Sequence, residues 1–313
     1  MPICVFDIDP EGLSKAATLP EPVRDGHYRW CHFDKSDAEL PQFLMAHVPD
    51  IPAAALTAPE TRPRCDVHDD GLILNLRGVN LNEDGPSDQM VSVRMWVTRS
   101  LVVTVRQRKV FALQAMREEA EAGHAPSSPI GFVGTLTTAL MGRVRDTVFD
   151  LSIRVDTMED AMIEDKGIPA DDLAENRRMA IRFRRYLGPQ RDALLALSAL
   201  SPDMISRGQG AQLREQTNIG KLAVEELDSL VSRMTAVQDH HTAETARHQA
   251  RNGYVLSLVA AVFLPLGFIT GLFGVNVGGM PGTQSDWAFG ALSATLIVLT
   301  VLVVWLLRRM RWP

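Results

Sequence analysis

Hydrophobic and polar positions along the chain change rhythm twice. Up to about residue 108 they alternate in short runs. Ile3–Ile8, His27–Phe33, Arg64–His68, Leu72–Arg77, Met90–Thr98 and Leu101–Arg106 read as strands, and Asp37–His47 and Ile51–Ala58 as short helices. A period of two in Val91, Val93, Met95 and Val97 predicts a sheet with one face covered. Turn formers at Asp69-Asp70-Gly71 and Asn82-Glu83-Asp84-Gly85-Pro86 separate the strands. Residues 1–108 are therefore expected to form an α/β sheet module. From 109 to 210 the apolar spacing shifts to threes and fours. Val110–Gly123, Ile130–Lys166 and Asp171–Leu200 read as helices, the last two antiparallel across Gly167-Ile168-Pro169, with Pro202, Gly208 and Gly210 closing the third.

After Ala211 no proline occurs before Pro265, and Leu213, Ile219, Leu222, Val224, Leu227, Leu230, Val231, Met234 and Val237 keep helical spacing. The simplest reading is one helix over 211–273, roughly 95 Å long at about 1.5 Å per residue. Its last part, Tyr254 to Phe273, carries no charge, and neither does Trp287 to Leu307. Each run covers about 30 Å as a helix, the thickness of a bilayer's hydrocarbon layer. A buried helical hairpin in a large soluble protein is the competing explanation, and it seldom occurs twice at this length. The expectation is an α+β membrane protein: a stalk helix over 211–252, a first transmembrane helix over 253–273, a short loop over 274–286, a second transmembrane helix over 287–307 and a basic tail over 308–313.

Composition hides this pattern. With 46% hydrophobic and 22% charged residues and a net charge of −6, the averages are those of a soluble protein. The acidic balance argues against nucleic acid as a partner. Three cysteines suit a reducing compartment, and Met1-Pro2-Ile3-Cys4-Val5-Phe6-Asp7 shows no basic, apolar leader. Arg247 and Arg251 precede the first span, Arg308, Arg309 and Arg311 follow the second, and the loop between has no Lys or Arg. By the positive-inside rule both termini are cytoplasmic. Two spans enclose no path, and a long apolar stripe needs neighbours, so a ring of identical subunits is expected.

Gly274-Val275-Asn276, after a long stalk helix and the first of two C-terminal spans, resembles the signature loop of the CorA superfamily of divalent-cation transporters. The magnesium-transporting members have Gly-Met-Asn; here Val275 stands in the middle. Glu60-Thr61-Arg62-Pro63-Arg64, Arg106-Gln107-Arg108-Lys109-Val110, Tyr186-Leu187-Gly188-Pro189-Gln190-Arg191-Asp192 and Val262-Phe263-Leu264-Pro265 are similar to the ZntB zinc-transporter branch. The resemblance covers nearly the whole chain. It implies a CorA-like homopentamer with a funnel-shaped cytoplasmic domain, moving zinc across the bacterial inner membrane. No cofactor and no enzymatic activity is expected; Zn2+, or another divalent cation, is cargo.

Several residues then become candidates. Helix C-termini gathered at the outer mouth would each present about half a negative charge, to which the Asn276 amide oxygen adds an acceptor; the competing role for Gly274 and Asn276 is an ordinary helix cap. Stepping back by threes and fours gives Gly271, Gly267, Leu264, Ala260, Ser257 and Gly253 as the axis-facing row, with Leu264 as a possible narrowing; Gly267 and Gly271 could equally be helix-packing positions. Between Tyr254 and Phe273 there is no carboxylate, His or Cys. A divalent ion is therefore expected to pass largely hydrated, because stripping it would need such ligands. Lower on the same helix, Asp239, His241 and Glu244 form a possible cytoplasmic cation site, or simply an exposed stalk face. The acidic run Glu159–Asp165 and the pair Cys65 and His68 are weaker candidates. Uptake is preferred to efflux, with proton coupling possible although neither span holds an acid, His or Lys. The competing functions are a magnesium channel and a membrane-anchored cytoplasmic sensor or scaffold.

Overall fold

The computed structural model describes residues 1–19, 21–82, 89–164, 170–201, 204–275, 282 and 285–309. They fall into two compact units, Met1–Val237 and Gln238–Pro313. The first contains a seven-stranded sheet built from β1 (Cys4–Ile8), β2 (Ser14–Ala16), β3 (Tyr28–Asp34), β4 (Arg64–His68), β5 (Gly71–Val79), β6 (Met90–Val97) and β7 (Leu101–Arg106). The spatial order is β2-β1-β3-β7-β6-β5-β4, and every pairing is antiparallel except β3 with β7. That parallel pair needs a crossover, which α1 (Leu40–His47), α2 (Asp50–Thr57) and the β4–β6 meander supply.

Both faces of this sheet are covered, which corrects the expectation of one. On β3, Tyr28 and Trp30 join one core cluster while Cys31 and Phe33 join the other. On β6, Val91, Val93, Met95 and Val97 lie in the first cluster, as their spacing predicts. The opposite face is equally sealed: Arg94 and Trp96 are each 1% exposed. Trp96 packs with Leu40, Phe43 and Leu56 of α1 and α2. An arginine at the alternate position signals a solvent face in a sequence; here it is buried.

The first cluster continues into α3 (Phe111–Glu121), α4 (Pro129–Ile163), α5 (Ala170–Ser198) and the start of α6 (Arg207–Phe273). The texture change near residue 108 thus lies inside one compact unit. Helix α4 begins where Ser128 accepts a bond from the Gly131 N–H at 3.1 Å, with Pro129 in the first turn. Gly208 and Gly210 do not close α5; they lie in the first turn of α6. The Ser206 N–H donates to Gln209 Oε1 at 3.0 Å, and the Gln209 N–H donates back to Ser206 Oγ at 3.3 Å. This reciprocal box satisfies two orphan donors and starts the helix ahead of the glycines.

Helix α5 runs through Pro189 and uses the next residue to hold the sheet. Gln190 is buried, and its amide bonds both backbone groups of Arg77: it accepts from the N–H at 2.6 Å and donates to the C=O at 2.9 Å. The β4–β5 pairing ends at Arg64 and Asn75, so Gln190 supplies the partner that β4 is too short to give.

Candidate functional site

The second unit holds the end of α6 and α7 (Ala288–Arg309), and the apolar windows of both are wholly unburied within the chain. On α6 one stripe is half-buried: Tyr254, Leu258, Ala261, Val262, Pro265, Leu266 and Ile269. On α7 the corresponding stripe is Ala288, Leu292, Ser293, Leu296, Leu299, Thr300 and Val303. Gly253, Ser257, Ala260, Leu264, Gly267 and Gly271 are all exposed. At about 100° per residue this row lies roughly 140° round the helix from the covered stripe of α6. A Cβ placed on Gly253, Gly267 or Gly271 would meet nothing within 4 Å. Packing inside one chain therefore does not require these glycines.

Polar groups on the same helix divide into two kinds. Thr242, Thr245 and Thr270 bend their hydroxyls back to the carbonyl four residues earlier, at 2.9, 3.0 and 2.9 Å. The Ser257 hydroxyl, on the exposed row, makes no hydrogen bond to any described residue. At the C-terminal end of α6 the Gly274 N–H donates to the Thr270 carbonyl at 2.9 Å and the Gly271 carbonyl at 3.2 Å. A Cβ on Gly274 would stand 2.9 Å from that Thr270 oxygen, so glycine is required there by close approach of backbone. Val275 is exposed, and Asn276 lies outside the described residues.

A sheet-and-helix unit followed by two apolar helices, one of them the end of a 67-residue helix, is a specific arrangement. Residues 25–309 match the family model described as CorA-like Mg2+ transporter protein. The zinc transport protein ZntB of Pectobacterium atrosepticum is 32% identical over 285 residues, which are 90% of this chain and 87% of that protein. The chain belongs to the CorA-like family, in its ZntB-type branch. Among solved structures, the full-length CmaX protein aligns with a TM-score of 0.86 at 26% identity, over 99% of this chain and 98% of its own. The CorA magnesium transporter from Methanocaldococcus jannaschii shares the fold, with a TM-score of 0.79 at 14% identity over the whole of both chains. Members of this family are divalent-cation transporters, and the chain is a transporter rather than an enzyme.

For a ZntB-type chain the other candidate positions differ in kind. Asp239 and His241 are exposed and Glu244 is half-buried, all on α6. Among the described residues no three His, Cys, Asp or Glu side chains of one chain come together as a metal-holding group. In the acidic run, Glu159 is already engaged: it and Asp156 grip the Arg233 guanidinium, which donates to Glu159 Oε1 at 2.8 Å and to Asp156 Oδ1 at 2.5 Å. The Arg233 hydrogen bond holds the Glu159 carboxyl below its ordinary range. That cluster ties α4 to α6. Cys65 packs against the first core cluster, while His68 meets the Trp96 ring edge-on, so the two face apart as strand geometry requires. Burial pushes the Cys65 thiol up to about 12, which leaves it protonated and a poor metal ligand. The structural role of Gln190 and the Ser206–Gln209 box escaped the reading of periodicity. The second was visible as Ser-x-x-Gln.

Proposed function

We propose that the chain moves Zn2+ across the bacterial inner membrane through a water-filled axial conduit formed by a ring of copies, five on the family resemblance, with uptake preferred to efflux. The observation that carries this reading is the exposed row Gly253–Gly271 on α6, which has open space beside its glycines and, among the described residues, no partner for the Ser257 hydroxyl. A free hydroxyl in hydrocarbon costs free energy, whereas beside water it costs little. Leu264 is the bulkiest member of the row and the natural narrowing. The span has no carboxylate, His or Cys, so nothing in it replaces the ion's hydration shell, and the ion crosses with its water. The helix ends near Gly274 and the Asn276 amide attract cations at the outer mouth, and copies of Asp239, with His241 and Glu244 nearby, collect them at the cytoplasmic end. The arginines flanking the spans put both termini in the cytoplasm. Any proton coupling runs through groups outside the hydrocarbon, for which Tyr254 and Asp286 are the nearest.

Purified protein in vesicles loaded with a zinc-sensitive dye tests this directly. Zinc influx above that of empty vesicles, steepened by an inward proton gradient, is expected; influx no greater than the empty control removes the proposal and leaves a membrane-anchored sensor. The family description favours a second reading, magnesium transport. Competition between the two ions in the same vesicles separates them, and Val275→Met is the substitution expected to move the preference toward magnesium.

A further inference from the structure

Far from the spans in sequence, the first unit contains a basic cavity of about 590 Å³. It is lined by Arg62, Arg77, Arg94, Arg108 and Arg185, with Glu60 the only acidic lining residue among the described residues. We propose that this cavity binds a phosphate-bearing small molecule carrying two or more phosphoryl charges, such as a polyphosphate or a nucleoside polyphosphate.

The arginines come from separate pieces of the fold. Arg77 and Arg94 stand on β5 and β6, where Arg77 pairs with Ser92, and Arg94 with Asn75. Arg62 lies between α2 and β4, Arg108 follows β7, and Arg185 is on α5. None of the five forms an ion pair with a described carboxylate, and their bonds go to neutral groups. Arg77 donates to the Met90 and Thr61 carbonyls at 3.0 and 2.8 Å and lies 3.9 Å over the Tyr186 ring. Arg94 donates to the Leu56 carbonyl at 3.2 Å, and Arg108 to Gln89 Oε1 at 3.2 Å. Arg94 is 1% exposed, yet its Nε has no partner, and neither has the buried Nε of Arg77.

Burying several guanidinium groups beside a single described carboxylate is costly, and gathering them adds mutual repulsion. Desolvation, the largest cause, holds both Arg77 and Arg94 below the ordinary arginine value; for Arg77 Tyr186 and Glu60 oppose it in part, and a neighbouring arginine lowers each of the two further. An anion relieves both costs. Planar five-donor forks match phosphate oxygens two at a time. A volume of this size lies within the range of about 300–1,000 Å³ usual for small-molecule sites, and it exceeds what a single monatomic ion fills. Gln190 contributes indirectly, because its two bonds to the Arg77 backbone fix where that side chain begins.

The test is calorimetric titration of the full-length protein in detergent, in chloride-free, metal-free buffer, with pyrophosphate, ATP and chloride as separate titrants. Saturable binding of pyrophosphate and ATP, one per chain, is expected. The exposed pair Arg62→Gln with Arg185→Gln should weaken it by at least about tenfold, the effect of losing a charge-assisted bond, without lowering the melting temperature. Arg94→Met should abolish it, with its melting temperature checked in parallel. The proposal is overturned if neither phosphate compound binds, if chloride competes as strongly as pyrophosphate, or if the Arg62/Arg185 pair binds like the unaltered protein. It stands on the first unit alone, so its failure leaves the transport reading untouched.

Discussion

The two units differ in how much of their burial one chain can supply. In Met1–Val237 the sheet is covered on both faces, and residues as large as Trp30, Trp96 and Phe132 are almost fully enclosed. In Gln238–Pro313, Leu256, Phe263, Leu264, Phe268 and Trp305 are all more than half exposed. Apolar surface on that scale is stable only beside lipid or beside more protein. The first unit encloses its two main cores within one copy. The second is a component, and its unfilled face is where the transport chemistry is assigned.

His32 gives the sharpest way to break this contrast. It is buried beside Thr104, whose Oγ1 is 2.8 Å from Nδ1, and burial, aided by the charge of Arg106, lowers its value to about 4. Between pH 6.5 and 4 the unfolded chain binds a proton on this ring that the folded chain does not, so stability falls as pH falls. The loss should reach roughly 3 kcal/mol by pH 4. Denaturation midpoints of the full chain in detergent across that window, compared with those of His32→Asn, isolate the effect; parallel curves would show that the enclosure of β3 has been overestimated.

A pair of glycine substitutions comes next. A Cβ on Gly71 would collide with the Trp96 indole, so Gly71→Ala should destabilise the first unit by about 2–3 kcal/mol. Gln190→Ala should cost about 2 kcal/mol by stranding the Arg77 backbone groups, read as a lower melting temperature with faster hydrogen exchange at Arg77. Gly267→Ala is the counterpart in the second unit and the smallest effect. Nothing lies within 4 Å of its Cβ position, so stability should not fall and can rise by up to about 1 kcal/mol from helix propensity, while zinc flux in vesicles should drop on the proposal that the row lines the path. Equal losses of stability at Gly71 and Gly267 would erase the distinction between the units.

Much of this was legible in the residues. Strands β4 and β7 fall where alternation put them, and α7 coincides with the second uncharged run to within two residues at each end. Strand β2 was not foreseen: Ser-Lys-Ala is short and polar, and it is strand only because Ala16, Lys15 and Ser14 pair with β1. The second sheet face was misjudged because Arg94 breaks the apolar pattern while being buried. The basic cavity could not be read at all, since five segments far apart in sequence contribute to it. The axis-facing row was proposed from spacing alone, and one chain shows only that it is open. Asn276 cannot be compared with its expected role, because it lies outside the described residues.

The carbonyl of Thr270 beneath Gly274 also constrains how the proposed mouth can vary. Backbone oxygen, unlike a flexible side chain, cannot swing aside, so position 274 is closed to every residue that carries a β-carbon unless the last turn unwinds. Diversification of the triplet must therefore happen at its second and third members. If the triplet forms the ion mouth as proposed, a change of cargo would be written there, in the size and polarity of the two residues that follow the glycine.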